Sequence, residues 1–170
     1  MEDAARRGDL VVVGLGMNRA ELDANAIFSG GKMAAVWDLN ESPDVSDALG
    51  LLLEGGKLDA ATNVVSIDYL TDPVAVLRSL LAVMRDGGTV HLVVSNRCFP
   101  TKVGARWLRV GDEERVEMVG DFLHFAGWES IEVVVLSDGR VDESGVTEWS
   151  GWMPGLPRRD PLWVVRGTKR

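Results

Sequence analysis

The chain has 170 residues, 46% hydrophobic and 26% charged, a length and balance that suit one soluble globular domain and exclude a disordered or fibrous protein. Its formal net charge of -8 and isoelectric point near 4.8 argue against non-specific binding to nucleic acid or anionic membrane, which needs clustered Lys and Arg. One cysteine, Cys98, excludes an internal disulfide framework, and no apolar run approaches the roughly 18–20 residues that cross a bilayer.

The N-terminus, MEDAARRGD, lacks the apolar centre of a secretory signal and carries acids that do not suit a transit peptide. Residues 1–8 are expected to be a tail, and the cytoplasm the location. Asp9–Asn18 (DLVVVGLGMN) reads as a β-branched strand running into a Gly14-Leu15-Gly16 turn, and RAELDANAIF as a helix ended by Gly30-Gly31. Strand, glycine turn and helix is the layout of a nucleotide site. The third position of the full glycine fingerprint is Arg19, however, and a G-x-G pair serves equally as a plain strand-to-helix turn. Lys32–Trp37 reads as a second strand, with Asp38 at its end about twenty residues past the glycines, where dinucleotide and adenosyl folds place an acid for ribose hydroxyls. Asn40–Asp47 is a polar loop, and Ser46–Leu53 a short helix stopping at Gly55-Gly56.

The central unit is βαβ. Asp59–Ser66 is an Ala, Val and Ile strand expected to be buried on both faces. Asp72 fits an N-cap and Pro73 the first helical position, and Leu77, Leu80, Leu81 and Met84 make one apolar stripe. Arg85-Asp86-Gly87-Gly88 is expected to end the helix, and Thr89–Val94 to return as the neighbouring strand. Ligands of parallel sheets lie beyond the carboxyl ends of the strands, so Asn63–Tyr69 and Asn96–Lys102 are the stretches in which to seek chemistry.

The stretch VGARWLRVG is undecided between element types. Asp112–Ala126 is a helix with Val116, Val119 and Leu123 inward, three acids at its positive end and Gly127 as its stop. Ile131–Leu136 and Leu162–Val165 are strands, expected as an antiparallel pair closing one edge. Between them Ser137–Pro161, with Trp149 and Trp152, has the length of a lid, a binding loop or a disordered insertion.

The order of elements, with VVGLGMN, DYL and SNRCFPTK as its most specific pieces, resembles the class I S-adenosylmethionine-dependent methyltransferases, and more narrowly a methyltransferase type 11-like group of plants, algae and fungi. The similarity covers about Val11 to Gly127. It implies an α/β, doubly wound, mostly parallel Rossmann-like sheet with an antiparallel C-terminal edge pair, and S-adenosyl-L-methionine as cofactor. Carried over residue by residue, it sets Gly16, Met17 and Asn18 beside the ribose and methionine part of the cofactor and Asp38, Leu39 and Asn40 against the adenine, with Gly14 joining the cofactor-binding set as the first glycine of the turn. Asn63, Val64, Val65 and Ser66 would lie next to the transferred methyl, and Asp68, Tyr69, Asn96 and Arg97 would face the substrate. In the family a first strand with the main cofactor motif lies before the segment that resembles VVGLGMN; here only Met1–Gly8 stand there. The expectation is a sheet without that strand, or one in which DLVVVGLG has replaced it.

Methyl transfer from a sulfonium needs an in-line approach, so positioning and shielding from water are most of the task. Asp68 and Tyr69 could orient an acceptor or take its proton, and Arg97 could hold an acidic group bidentately. Each has a plainer alternative: Asp68 capping a turn, Tyr69 packing with a wet hydroxyl, Arg97 pairing with a surface carboxylate. Cys98 reads as a buried structural thiol, because neither His91 nor His124 has a sequence reason to approach it. No metal-ligand spacing is present. The expected function is methyl transfer to a small molecule, by a form that the missing first motif would make truncated or weakly active. The alternatives are a non-catalytic member of the fold that binds a partner, and a nucleotide-dependent oxidoreductase using Gly14, Gly16 and Asp38.

Overall fold

The structure, a computed structural model, describes residues 2–28, 33–53, 55–139 and 160–170. Its strands fall into two sheets. β1 (Gly14–Gly16) and β2 (Ala34–Val36) form a short parallel pair, Gly14 opposite Ala34 and Gly16 opposite Val36. In the second sheet β3 (Leu58–Val64) runs parallel to β4 (Met84–Ser95). β5 (Glu129–Ser137) and β6 (Leu162–Thr168) are antiparallel to each other, and β6 lies between β4 and β5, giving the order β3-β4-β6-β5. This is a mixed α/β Rossmann-like arrangement, parallel through β4 and antiparallel at the C-terminal strands, as the sequence leads one to expect.

The helices follow local signals. In α4 (Pro73–Val83) the Asp72 carboxylate accepts the Ala75 N–H at 2.9 Å, and Pro73 sits where no donor is required. α5 (Asp112–Ala126) carries its acids in the first turn and ends where Gly127 turns left-handed at φ 97°, its N–H reaching the His124 carbonyl at 3.0 Å. The main core lies between these helices and the second sheet. Leu77 from α4, Val119 and Leu123 from α5, Val90, Leu92 and Val94 from β4 and Val165 from β6 are all fully buried there. Each such side chain contributes roughly 1.5–3 kcal/mol of burial. Trp128 anchors the group through an indole N–H that donates to the Leu77 carbonyl at 3.0 Å. α3 (Val45–Leu53) packs on α4, where the Ser79 hydroxyl accepts the Val45 N–H at 3.0 Å and bonds the Pro43 carbonyl at 3.0 Å.

Several expectations change. The tail contains a helix, α1 (Glu2–Arg7). Gly14-Leu15-Gly16 is the strand itself and not the turn after it. Glycine is used there for room: a Cβ at Gly14 would stand 2.5 Å from Phe28 Cζ, and one at Gly16 would stand 3.3 Å from Leu22 Cδ2. The expected helix over RAELDANAIF splits into α2 (Arg19–Ala24) and a 3-10 turn, Ala26–Phe28, because Asn25 is extended. Arg85–Gly88 does not form a loop after α4 but opens β4. The C-terminal chain supplies its hydrogen bonds: the Gly87 N–H donates to the Lys169 carbonyl and the Lys169 N–H to the Gly88 carbonyl, each at 2.9 Å.

β3 is not buried on both faces. Asp59, Ala60, Thr62 and Val64 are exposed, since β3 is an edge strand with no neighbour on its outer side among the described residues. Most of the Ser137–Pro161 connection, with Trp149 and Trp152, lies outside the described residues.

Candidate active site at the strand ends

The segments that follow β2, β3 and β4 are tied together by hydrogen bonds. Asn40 is the first tie. Its side-chain oxygen accepts the Thr71 N–H at 2.7 Å and the Thr71 hydroxyl at 3.1 Å, while its Nδ2 donates to the Tyr69 carbonyl at 3.1 Å. Tyr69 is the second, its hydroxyl oxygen accepting the Phe99 N–H at 3.1 Å while the two rings lie 6.3 Å apart. Lys102 stands over the Phe99 ring, its Nζ 5.2 Å from the ring centroid. These contacts tie together the segments that carry Asp38, Asp68 and the Asn96–Lys102 stretch, although their strands belong to two sheets.

Each residue singled out from the sequence has a definite place. Gly14 and Gly16 lie within β1. Met17 is exposed, and Asn18 caps α2, its Oδ1 accepting the Ala20 N–H at 3.0 Å and its Nδ2 donating to Glu21 at 2.8 Å. Asp38 closes a turn after β2 by accepting the Asn40 N–H at 2.9 Å, and Leu39 packs against the cluster of Val45, Leu49 and Val76. Asn63 and Val64 complete β3, and Ser66 leads into the 3-10 turn Ile67–Tyr69.

Val65 stands in the left-handed region at φ 43°, an unfavourable conformation for a β-branched residue, held by an N–H that donates to the Val93 carbonyl at 2.9 Å. Such strain concentrates where backbone is shaped for a ligand. Asn96 is exposed, and Arg97 is ion-paired with Asp160 at 2.6 Å, the surface carboxylate pairing its plainer alternative anticipated.

Asp68 has the most unusual surroundings. Its Oδ2 is buried without a hydrogen-bond partner, and burial pushes the carboxyl above its ordinary value against the pull of its own backbone N–H and the Arg115 guanidinium. Two further orphan atoms are buried among the described residues, Asn63 Oδ1 and Trp107 Nε1.

Trp107 and Arg115 were not singled out from the sequence. Trp107 is buried in the stretch VGARWLRVG, with the Arg115 guanidinium 5.7 Å from its ring centroid. Arg115 also donates to the Trp107 carbonyl at 3.1 Å and to Asp112 at 2.7 Å. The available signal was a tryptophan shortly before an acidic helix start that itself carries an arginine. Cys98 is half-buried and packs against the main core, as a structural thiol does. No group of three or more metal-ligating side chains occurs among the described residues.

With the site in place, comparison with solved structures defines the class of fold. The chain is similar to a SAM-dependent methyltransferase from Archaeoglobus fulgidus, with a TM-score of 0.61 and 12% identity over 98% of this chain and 80% of that one. It is also similar to a variant of the 16S rRNA (adenine(1408)-N(1))-methyltransferase from Catenulisporales acidiphilia, with a TM-score of 0.54 and 13% identity over 99% and 80% of the two chains. A possible histamine N-methyltransferase from Thermotoga maritima matches with a TM-score of 0.50 and 16% identity, over 99% of this chain and 87% of that one. The fold is therefore that of the SAM-dependent methyltransferases. No family model and no curated protein matches the chain.

Proposed function

We propose that this chain is a single-domain, cytoplasmic S-adenosylmethionine-dependent methyltransferase acting on a small molecule, within the type 11-like group that DYL and SNRCFPTK resemble. The observation that supports the reading is the lacing of the β2, β3 and β4 ends through Asn40, Tyr69 and Phe99, which ties together the segments that carry Asp38 and Asp68. The fold likeness supports it. The similar structures include both an rRNA methyltransferase and a possible histamine N-methyltransferase. The acidic charge of this chain favours a small acceptor over nucleic acid.

The residues fit the adenosine side of such a cofactor. Asp38 stands half-buried at the end of β2, where it can take ribose hydroxyls, and Leu39 offers an apolar surface to a base. Asn40 shapes this wall through its ties to Tyr69 and Thr71. The Gly16–Asn18 stretch supplies the adjoining wall, and the strained Val65 with Asn63, Val64 and Ser66 supplies the floor. When bound, the cofactor supplies an electrophilic methyl group on a sulfonium.

The chain's own task is then to aim the acceptor and exclude water. Asp68, its carboxyl more basic than usual, takes a proton from a protonated acceptor. Tyr69 and Asn96 orient it, and Arg97 attracts an acidic acceptor when it exchanges Asp160 for that group.

Thermal melting with S-adenosylhomocysteine, with NAD and with neither tests the reading. A stabilising shift with millimolar S-adenosylhomocysteine, lost in Asp38→Ala, is expected, because a ligand of the native state raises apparent stability by about 2.7 kcal/mol at a hundredfold excess over Kd. No shift overturns the methyltransferase reading. A shift with NAD alone would favour an oxidoreductase, which the placement of Gly14 and Gly16 inside a strand argues against.

A further inference from the structure

Between Asp86 and Asp112 the sequence holds no Asp or Glu, yet it holds Arg97, Lys102, Arg106 and Arg109. In a chain of formal net charge -8 this is a local reversal of sign. It falls on the segment that follows β4, beside the bond from Phe99 to the Tyr69 hydroxyl.

Pairing sets three of these cations apart. Arg97 bonds Asp160. Elsewhere each described Lys or Arg side chain meets an acid, as Arg19 meets Asp23 and Arg166 meets Glu132, or donates to a backbone carbonyl, as Lys57 and Arg78 do. Among the described residues Lys102, Arg106 and Arg109 do neither, and Lys102 has only the Phe99 ring.

The backbone beneath them is a run of three turns. The Phe99 carbonyl accepts the Lys102 N–H at 2.8 Å, the Gly104 carbonyl the Trp107 N–H at 3.0 Å and the Arg106 carbonyl the Arg109 N–H at 3.0 Å. The last turn holds the Arg106 and Arg109 Cα atoms within about 7 Å of each other. Lys102 and Arg106 are at most about 14 Å apart even in extended chain, and the turn between them shortens that span. Trp107, between the two arginines, is 4% exposed, and its carbonyl accepts Arg115 Nε–H at 3.1 Å. The core thus anchors the turn while Lys102, Arg106 and Arg109 stay exposed.

Like charges held close together repel one another, and no described acid offsets that cost here. A bound anion would. We propose that the stretch 99–109 docks the anionic end of the acceptor: Lys102, Arg106 and Arg109 hold a dianionic group, such as a phosphate monoester, of a small molecule whose carbon skeleton rests on Phe99. Phe99 is 65% exposed and carries Lys102 over its ring. A dianion matches better than a single carboxylate, because three cations stand unpartnered and guanidinium groups take phosphate oxygens bidentately. RNA fits less well, since the net charge of -8 opposes a long polyanion and three cations neutralise only a short length of its backbone. That the anion belongs to a methyl acceptor rests on the methyltransferase reading; the anion site itself does not.

The test titrates the full chain, without cofactor, with phenyl phosphate, inorganic phosphate, phenol and a short oligouridylate, read by calorimetry and by amide NMR shifts. The expected result is saturable binding of phenyl phosphate, tighter than inorganic phosphate, with shifts centred on residues 99–109 and no binding of phenol. The double variant Arg106→Gln, Arg109→Gln, both positions exposed, is expected to weaken phenyl phosphate binding about tenfold or more at unchanged circular dichroism. Arg166→Gln, which removes a cation from the β5–β6 pair, is expected to leave binding unchanged.

Absence of saturable phenyl phosphate binding overturns the proposal, as does an equal loss in Arg166→Gln, which would reduce the effect to net charge. Equal affinity for inorganic phosphate overturns the assignment to an organic acceptor. Tighter binding of oligouridylate, with shifts over the same residues, assigns the stretch to RNA and overturns it too. Failure of S-adenosylhomocysteine to stabilise the chain, with phenyl phosphate still bound, would remove the methyltransferase reading and leave the anion site standing. Stabilisation by S-adenosylhomocysteine with no anion bound would remove the anion site alone.

Discussion

The hydroxyl oxygen of Tyr69 accepts the backbone N–H of Phe99 at 3.1 Å, joining the segment after β3 to the segment after β4 across thirty positions of sequence. An acceptor role in this bond leaves the hydroxyl proton free to point into the crevice. Tyr69→Phe is expected to lower stability by about 1 kcal/mol or less, since the bond is exposed, as read by urea denaturation. A loss of methyl transfer well beyond that change would mark the hydroxyl as an acceptor-positioning group. Equal, small losses in both would make it a tie only.

Asn40 holds the two sheets at their carboxyl ends with three hydrogen bonds, all to residues 69–71. Asn40→Ala is expected to cost roughly 1–2 kcal/mol, and amide exchange in β1 and β2 is expected to quicken more than in β4. Uniform acceleration throughout the chain would contradict a local tie.

The pH dependence of stability follows from Asp68. Its carboxyl ionises at a higher pH in the folded chain than its ordinary value of 3.8, chiefly because burial disfavours the charge. Between the two values the folded chain holds more protons than the unfolded one, so the Asp68 contribution to stability falls as pH rises through that window. Below 3.8 the penalty is absent, and above the folded value it is complete. Asp68→Asn is therefore expected to raise the melting temperature at pH 7 and to lose that advantage as pH approaches 3.8, measured by melting across pH. A constant difference at every pH would assign the effect to packing.

Gly14 separates a packing role from a cofactor role. A methyl group there would stand 2.5 Å from Phe28 Cζ, so Gly14→Ala is expected to cost about 1–3 kcal/mol as the ring is displaced. The stabilising shift with S-adenosylhomocysteine is expected to survive at reduced melting temperature. Its selective loss at unchanged stability would place the cofactor against Gly14.

Where signals are local, the sequence was a reliable guide. Asp72-Pro73 and Gly127 marked helix ends because a cap, a missing donor and a left-handed residue act within one turn. The antiparallel C-terminal pair was legible from two β-branched runs, although the place of β6 between β4 and β5 was not. Gly14-Leu15-Gly16 and Arg85–Gly88 misled because glycine marks a turn in sequence terms, whereas here one pair makes room for Phe28 and Leu22 and the other pairs with the distant Lys169.

By itself, then, the sequence determined the α/β class, the βαβ unit and the strand ends at which to look, since these depend on periodicity and on residues near one another in the chain. Only the tertiary structure decided that β3 is an edge and that Asn40 and Tyr69 lace separate loops. It also decided that Arg115 lies over the Trp107 ring and within electrostatic reach of Asp68, and that an apolar gap separates the sheets. Those features arise from contacts between segments far apart in the chain, and whether an edge is paired depends on which strand lies beside it, which no local pattern encodes.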